Sequence, residues 1–340
     1  MPALKTKAYT RAGVDVDLGN RLKAGLQARL AATHTANVLG KVGGFGGLYR
    51  AHFPGLRDPV LVSSVDGVGT KLKIAFATNR HNTVGADLVN HCVNDIAVVG
   101  ARPLFFLDYI GAGRLDPRVF HQLIGGFTKA CAAAGCALIG GETAQMPGMY
   151  APGEYDLAGT VVGVVDRTRM IDGSGIRPGD VVLGLLSDGL HTNGYSLARA
   201  ILLEQNKLSL AARLPGVKLP LGRELMRVHR NYQPLMAALP RNVLKGAAHI
   251  TGGGLIDNLP RILPAGCDAV IDTASWTVPA IFRHLATMGR VPCEEMYQVF
   301  NMGIGMALVV SAKDAAVVAR LTKARRIGRI EKGTGRTRLV

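Results

Sequence analysis

The sequence predicts an α+β protein of two α/β-containing domains, residues 1–170 and 171–340. Three observations carry this prediction. The chain has 340 residues, 48% hydrophobic and 19% charged, enough length and apolar content for two cores rather than one. Short apolar segments that read as strands alternate with longer segments of helical period. Between Asp166 and Asp180 that pattern gives way to turn chemistry, Ile171-Asp172-Gly173-Ser174-Gly175 and Arg177-Pro178-Gly179-Asp180, and a fresh apolar strand begins directly afterwards.

In the first half, Leu18, Leu22, Leu26 and Leu30 form one stripe of a helix over 17–32. A glycine-rich loop, 40–47, follows. Next come a strand over 59–65, a helix over 83–99 and a strand over 104–110. Asp116-Pro117 starts a helix over 116–134, and strands cover 137–140 and 155–165. In the second half the elements are a strand over 181–186, helices over 194–203 and 221–239, and a strand over 246–251. A helix over 255–263, a strand over 268–272, a helix over 279–288, a strand over 304–310 and a helix over 312–323 complete it. Ile327, Gly328 and Ile330 interrupt the most basic tract and read as a terminal strand.

No apolar run is long enough to cross a bilayer, so no membrane partner is expected. The first seven residues carry charge with no apolar stretch behind them, so a cytoplasmic location is expected. The five cysteines, Cys92, Cys131, Cys136, Cys267 and Cys293, are odd in number and contain no Cys-x-x-Cys pair. They read as reduced, mostly buried thiols. The net charge of +16, from 40 Lys and Arg against 24 Asp and Glu, suits nucleic acid or phosphorylated small molecules. The basic residues form no single long tract, and aromatics are 5% of the chain, so no specific nucleic-acid partner is expected.

Several motifs carry chemistry. Gly43-Gly44-Phe45-Gly46-Gly47 has four glycines in five positions. Such a loop can turn backbone N–H groups toward a phosphate, or serve only as a flexible connection. Asp66-Gly67-Val68-Gly69-Thr70-Lys71 ends an apolar strand, where open sheets place ligands. There Asp66 would hold a metal, the glycine backbone would approach phosphates and Lys71 would neutralise charge. Asp87, His91, Asn94 and Asp95 share one arc of the following helix. Read alone they are its wet face; alternatively Asn94-Asp95 meets Asp66 and shares its metal. Glu142 ends another apolar strand in Gly140-Gly141-Glu142-Thr143. His191-Thr192-Asn193-Gly194 opens a helix and suits either an anion or ordinary N-capping. His249 stands at the end of a strand, before Gly252-Gly253-Gly254.

In order and spacing, these blocks resemble the phosphoribosylformylglycinamidine cyclo-ligase family. The resemblance starts at Ala12-Gly13-Val14-Asp15-Val16-Asp17 and runs through the motifs above. It includes Pro103-Leu104-Phe105-Phe106-Leu107-Asp108-Tyr109 and, most specifically, Gly140-Gly141-Glu142-Thr143-Ala144-Gln145-Met146-Pro147-Gly148-Met149-Tyr150. It ends at Phe300-Asn301-Met302-Gly303-Ile304-Gly305-Met306. It implies a homodimer whose N-terminal sheets form a barrel across the interface, with ATP bound in a cleft nearby. It further implies magnesium- and ATP-dependent conversion of formylglycinamidine ribonucleotide to aminoimidazole ribonucleotide.

By that resemblance Gly43, Gly44, Phe45, Gly46, Gly47, Asp66, Gly67, Gly69, Thr70, Lys71 and Asn94 bind ATP. Asp66, Asp95 and Glu142 are its magnesium neighbourhood; from the residues themselves His191, Thr192, Asn193 and Gly194 are expected to bind the substrate phosphate, and Lys71 and His249 to be catalytic. Gln27 departs from the pattern, since members often carry a basic residue there, and it is given no role. Selenophosphate synthetases need a reactive Cys ahead of the glycine loop, and no cysteine precedes Cys92. The synthetases one step earlier in purine synthesis usually lack Met146-Pro147-Gly148-Met149-Tyr150.

Overall fold

The computed structural model describes residues 7–40 and 42–340. The N-terminal stretch 1–6 and Lys41 of the glycine loop, both read above, lie outside the described residues. Strands β1 (Val38–Leu39) and β2 (Leu48–Tyr49) pair antiparallel on either side of the glycine loop. Four longer strands follow: β3 (Pro59–Gly67), β4 (Arg102–Ala112), β5 (Ala137–Gln145) and β6 (Tyr155–Asp166). They form a mixed sheet in the order β3-β6-β4-β5, parallel only between β4 and β5.

Along β3 the side chains alternate, as the two-residue period of a strand requires. Ser64 and Asp66 turn toward the Val84–Ala97 helix. Leu61 and Val65 stay 63% and 69% exposed on the other face. The Val84–Ala97 and Pro117–Ala133 helices cover the inner face with Leu88, Val93, Phe120 and Phe127, all buried. Asp116 caps the second helix, accepting bonds from the amides of Arg118 and Val119, as its Asp-Pro start signal predicts.

The second half carries β7 (Val181–Leu186), β8 (Leu244–His249), β9 (Cys267–Ile271), β10 (Ile304–Val310), β11 (Arg325–Lys332) and β12 (Thr337–Leu339). Their order is β12-β9-β11-β7-β10-β8, antiparallel except for β12 with β9. Every residue of β10 is buried, which explains why its sequence is a continuous apolar run rather than an alternating one.

Three expected helices are broken. The helix over 17–32 divides at Gly25 into Val16–Ala24 and Gln27–Ala31, because glycine holds a helix poorly. The helix over 194–203 is regular only across Tyr195–Arg199 and then widens into a π-helical turn. The helix over 221–239 is two short helices, Leu221–Leu225 and Gln233–Ala237. Pro234 explains this third break: it sits in the first turn of Gln233–Ala237 and has no N–H with which to continue a helix from 221–230. The resulting loop, 226–232, carries His229 into the site. Strand β12 and the Cys293–Val299 helix were not foreseen. All five cysteines are free, and all but Cys293 are buried.

Candidate active site

Asp66 and Asp95 both stand beside His91 where the two halves touch. Asp66 Oδ2 lies 2.8 Å from His91 Nε2, and its Oδ1 accepts the Gly67 amide at 2.6 Å. Asp95 Oδ1 lies 2.7 Å from His249 Nδ1, across the junction from β8. Its Oδ2 accepts the Ser64 hydroxyl at 3.0 Å. Burial pushes both carboxyls up, yet both are held below the usual carboxylate range. For Asp66 the His91 bond and charge outweigh burial, and for Asp95 the His249 bond and charge do so. The side chains remain 37% and 30% exposed. Two ionised carboxylates with spare lone pairs and open access are a donor set that fits Mg2+.

Behind the carboxylates lies a packed group of imidazoles. His91 Nδ1 is 2.8 Å from Thr192 Oγ1, which is 3.1 Å from His229 Nδ1. His229 Nε2 is 2.9 Å from His249 Nε2. His191 stacks on His229 with ring centroids 4.1 Å apart. Burial holds His191 and His229 well below their ordinary pKa, and neighbouring cationic groups add to the effect. Burial also lowers His249, against the pull of Asp95. His91 goes the other way: burial lowers it, but Asp66 and the charges of Asp95 and Asp87 raise it further.

The arc of the Val84–Ala97 helix is therefore not a wet face. Asp87, His91 and Asn94 are buried because the second half covers them. Asn94 donates to the Arg230 carbonyl at 2.8 Å and accepts the Tyr232 amide at 2.8 Å. Wholly buried and bonded at both ends of its amide to the second half, it faces no open cavity.

Lys71 is turned inward, away from any phosphate. It is 0% exposed. Its ammonium reaches Asp87 Oδ1 at 2.9 Å and the carbonyls of His191 and Arg227 at 3.0 and 2.6 Å. An ammonium has three donors, so none remains for a phosphate. Lys71 bolts the two halves together instead. Thr70 does similar work at the surface, with its hydroxyl 3.0 Å from Ser196 Oγ.

The loop over 187–194 divides in the same way. His191 and Thr192 are buried and point into the imidazole group. The Tyr195–Arg199 helix has no side-chain cap, and Gly194 holds its N-cap position at φ 76°. A side chain at Gly194 would collide with the Phe300 ring. Only Asn193 and Gly194 of the expected substrate set reach the surface.

The glycine loop lines a separate cavity of about 860 Å³ with Asp108, Glu142 and Thr160. Asp66, Gly159, Asp108 and Gly141 form one row across the sheet. Glu142 lies one residue beyond that row, so strand alternation turns it to the opposite face from Asp66. Two strands also separate them, roughly 14 Å at the usual strand spacing. The expected Asp66–Asp95–Glu142 cluster is therefore not formed within one chain; its aspartates share the neighbourhood of His91, and Glu142 lies apart. Asp108, to which the motifs gave no role, lies in the Asp66 row with its carboxyl packed against Gly141, and burial pushes that carboxyl up to about 7.

Comparison with known proteins gives this arrangement a family. The profile described as AIR synthase related protein, N-terminal domain, matches residues 55–165, and its C-terminal counterpart matches 177–340. A phosphoribosylformylglycinamidine cyclo-ligase of Nitratidesulfovibrio vulgaris is 52% identical over 308 residues, covering 90% of this chain and 88% of that protein. One of an Anaeromyxobacter species is 51% identical over 334 residues, covering 96% of each.

The chain belongs to the phosphoribosylformylglycinamidine cyclo-ligase family.

The fold extends to more distant structures than the cyclo-ligases. The thiamine-monophosphate kinase of Stenotrophomonas maltophilia superposes with a TM-score of 0.68 at 21% identity, covering 92% of this chain and 95% of that one. A hydrogenase maturation protein HypE in complex with ATP gives 0.67 at 18% identity, covering 97% and 93%. At these identities the likeness concerns the fold alone. Among the described residues no helix is long and apolar enough to cross a membrane.

Proposed function

We infer that this chain closes the imidazole ring of formylglycinamidine ribonucleotide at the expense of ATP, giving aminoimidazole ribonucleotide, ADP and phosphate. The observation that carries the reading is the pair Asp66 and Asp95, ionised and part-exposed where the two halves meet. The near-complete match to cyclo-ligases supports it.

Ring closure must expel the formyl oxygen, a poor leaving group. In this reading the formyl oxygen attacks the γ-phosphorus of ATP and the bond to ADP breaks. The amidine nitrogen then attacks the formyl carbon, phosphate departs with the oxygen, and the ring nitrogen loses a proton. The protein contributes positioning and charge. Asp66 and Asp95 would hold Mg2+, whose chemistry is to neutralise phosphate charge. His249 enters as a positioning residue, since both its ring nitrogens are engaged, one of them by Asp95. The glycine loop lines a separate cavity and so does not share these phosphates within one chain, whereas Asn193 with Gly194 offers the anion-binding edge for the ribose phosphate. A phosphate-release assay tests the reading. ADP and phosphate are expected only with formylglycinamidine ribonucleotide present; equal release without it contradicts the assignment.

The same reading includes a division into units of 1–170 and 171–340 and a homodimer formed through the first. Leu61 and Val65 on the open face of the four-stranded sheet support the dimer, being 63% and 69% exposed on strand β3, with Phe105, Leu107 and Tyr109 only partly covered on β4, one strand further across. Closing that face against a second copy would make a barrel and remove large exposed apolar side chains from water. Sedimentation at micromolar concentration is expected to give a dimer, and Val65→Asp is expected to shift it toward monomer. A parent chain that sediments as a stable monomer contradicts the pairing.

A further inference from the structure

We propose that His91, Asp95 and His249 form a binding site for a transition divalent cation of the zinc type, filled without any nucleotide. The proposal shares Asp95 with the magnesium reading, but it concerns the chain alone and stands whether or not ring closure does.

Three observations carry it. One ligand atom from each of the three residues lies within 4.8 Å of the others. Two imidazole nitrogens and a carboxylate suit zinc, cobalt or manganese, whereas Mg2+ prefers an all-oxygen set. Asp66, 2.8 Å from His91 Nε2, lies outside that group and adds a second negative charge close to a doubly charged ion.

The surroundings are also arranged as ligands require. His91 Nε2 and His249 Nδ1 face the carboxylates of Asp66 and Asp95. The opposite nitrogens are fixed from behind, His91 Nδ1 by Thr192 Oγ1 at 2.8 Å and His249 Nε2 by His229 Nε2 at 2.9 Å. Asp95 keeps its second oxygen on Ser64 at 3.0 Å. Partners of this kind set ring orientation and tautomer in metal sites. Both imidazoles are almost fully buried, at 4% and 6% exposure, so their orientation is set before an ion arrives.

The test uses the full chain carrying Cys293→Ser, which removes the exposed thiol that would bind zinc unspecifically. Metal-stripped protein is titrated calorimetrically with Zn2+ and, separately, with Mg2+, without nucleotide. Zn2+ is expected to bind at one per chain and at least about 100-fold more tightly than Mg2+. His91→Gln and His249→Gln are each expected to weaken Zn2+ by about tenfold or more. A second measurement needs no histidine variant. Nitrogen-labelled histidine spectra of the Cys293→Ser chain are expected to show the His91 and His249 rings shifting as Zn2+ is added. Zn2+ binding no tighter than Mg2+, unchanged Zn2+ affinity in both folded variants, or ring signals that stay put overturns the proposal. Zn2+ binding as described in a chain that fails the phosphate-release assay supports this proposal and overturns the ring-closing reading.

Discussion

Lys71→Met is expected to destabilise the protein by about 3–5 kcal/mol, the usual cost of leaving one member of a buried ion pair alone. Lys71 and Asp87 are both 0% exposed. Their ammonium–carboxylate contacts are 2.9 and 2.8 Å. Burial pulls the lysine down and pushes the aspartate up, each opposed by the other's charge. The pair also organises backbone from the other half: Lys71 holds two carbonyls, and Asp87 accepts the His229 amide at 2.7 Å. Methionine fills the space but leaves the Asp87 charge and both carbonyls unsatisfied. Replacing both members, Lys71→Met with Asp87→Leu, is expected to recover part of the loss, because no lone charge stays buried. Denaturant unfolding of the single and double variants checks this. A single variant within about 1 kcal/mol of the parent would show that the pair contributes little.

Asp66→Asn carries the second large effect, and it falls on turnover rather than folding. The side chain is 37% exposed; the one oxygen of asparagine can still accept the Gly67 amide, while its NH2 group can only donate, to a neutral His91 ring. What disappears is the charge aimed at the proposed Mg-ATP. Several kcal/mol of transition-state stabilisation should go with it, about a hundredfold or more in kcat. The thermal midpoint should stay close to that of the parent. Near-parental turnover at ordinary magnesium concentration would remove Asp66 from the mechanism.

Most of the fold was legible because its signals are local. Apolar segments ending in glycine and an acid gave β3 and β5, and Asp116-Pro117 gave a helix start that the structure keeps. The site was legible only in part, because its assembly is tertiary. Nothing within the Val84–Ala97 helix says that the second half will cover Asp87, His91 and Asn94, so a buried polar seam looks like a wet face. Lys71 follows glycines like a phosphate-binding lysine, and only the approach of His191 and Arg227 turns it inward. Glu142 repeats the sequence logic of Asp66, but strand order and a one-residue offset set it on the other face. His229 was hidden inside an apparent helix; Pro234 was the available sign that this helix would break.

The central claim is that the formyl oxygen is phosphorylated before the ring closes. The most direct measurement uses formylglycinamidine ribonucleotide carrying isotopically labelled oxygen in its formyl group, turned over by this chain with Mg-ATP. The label is expected in inorganic phosphate, one labelled oxygen for each ring closed. Label released into water, with unlabelled phosphate, would contradict it.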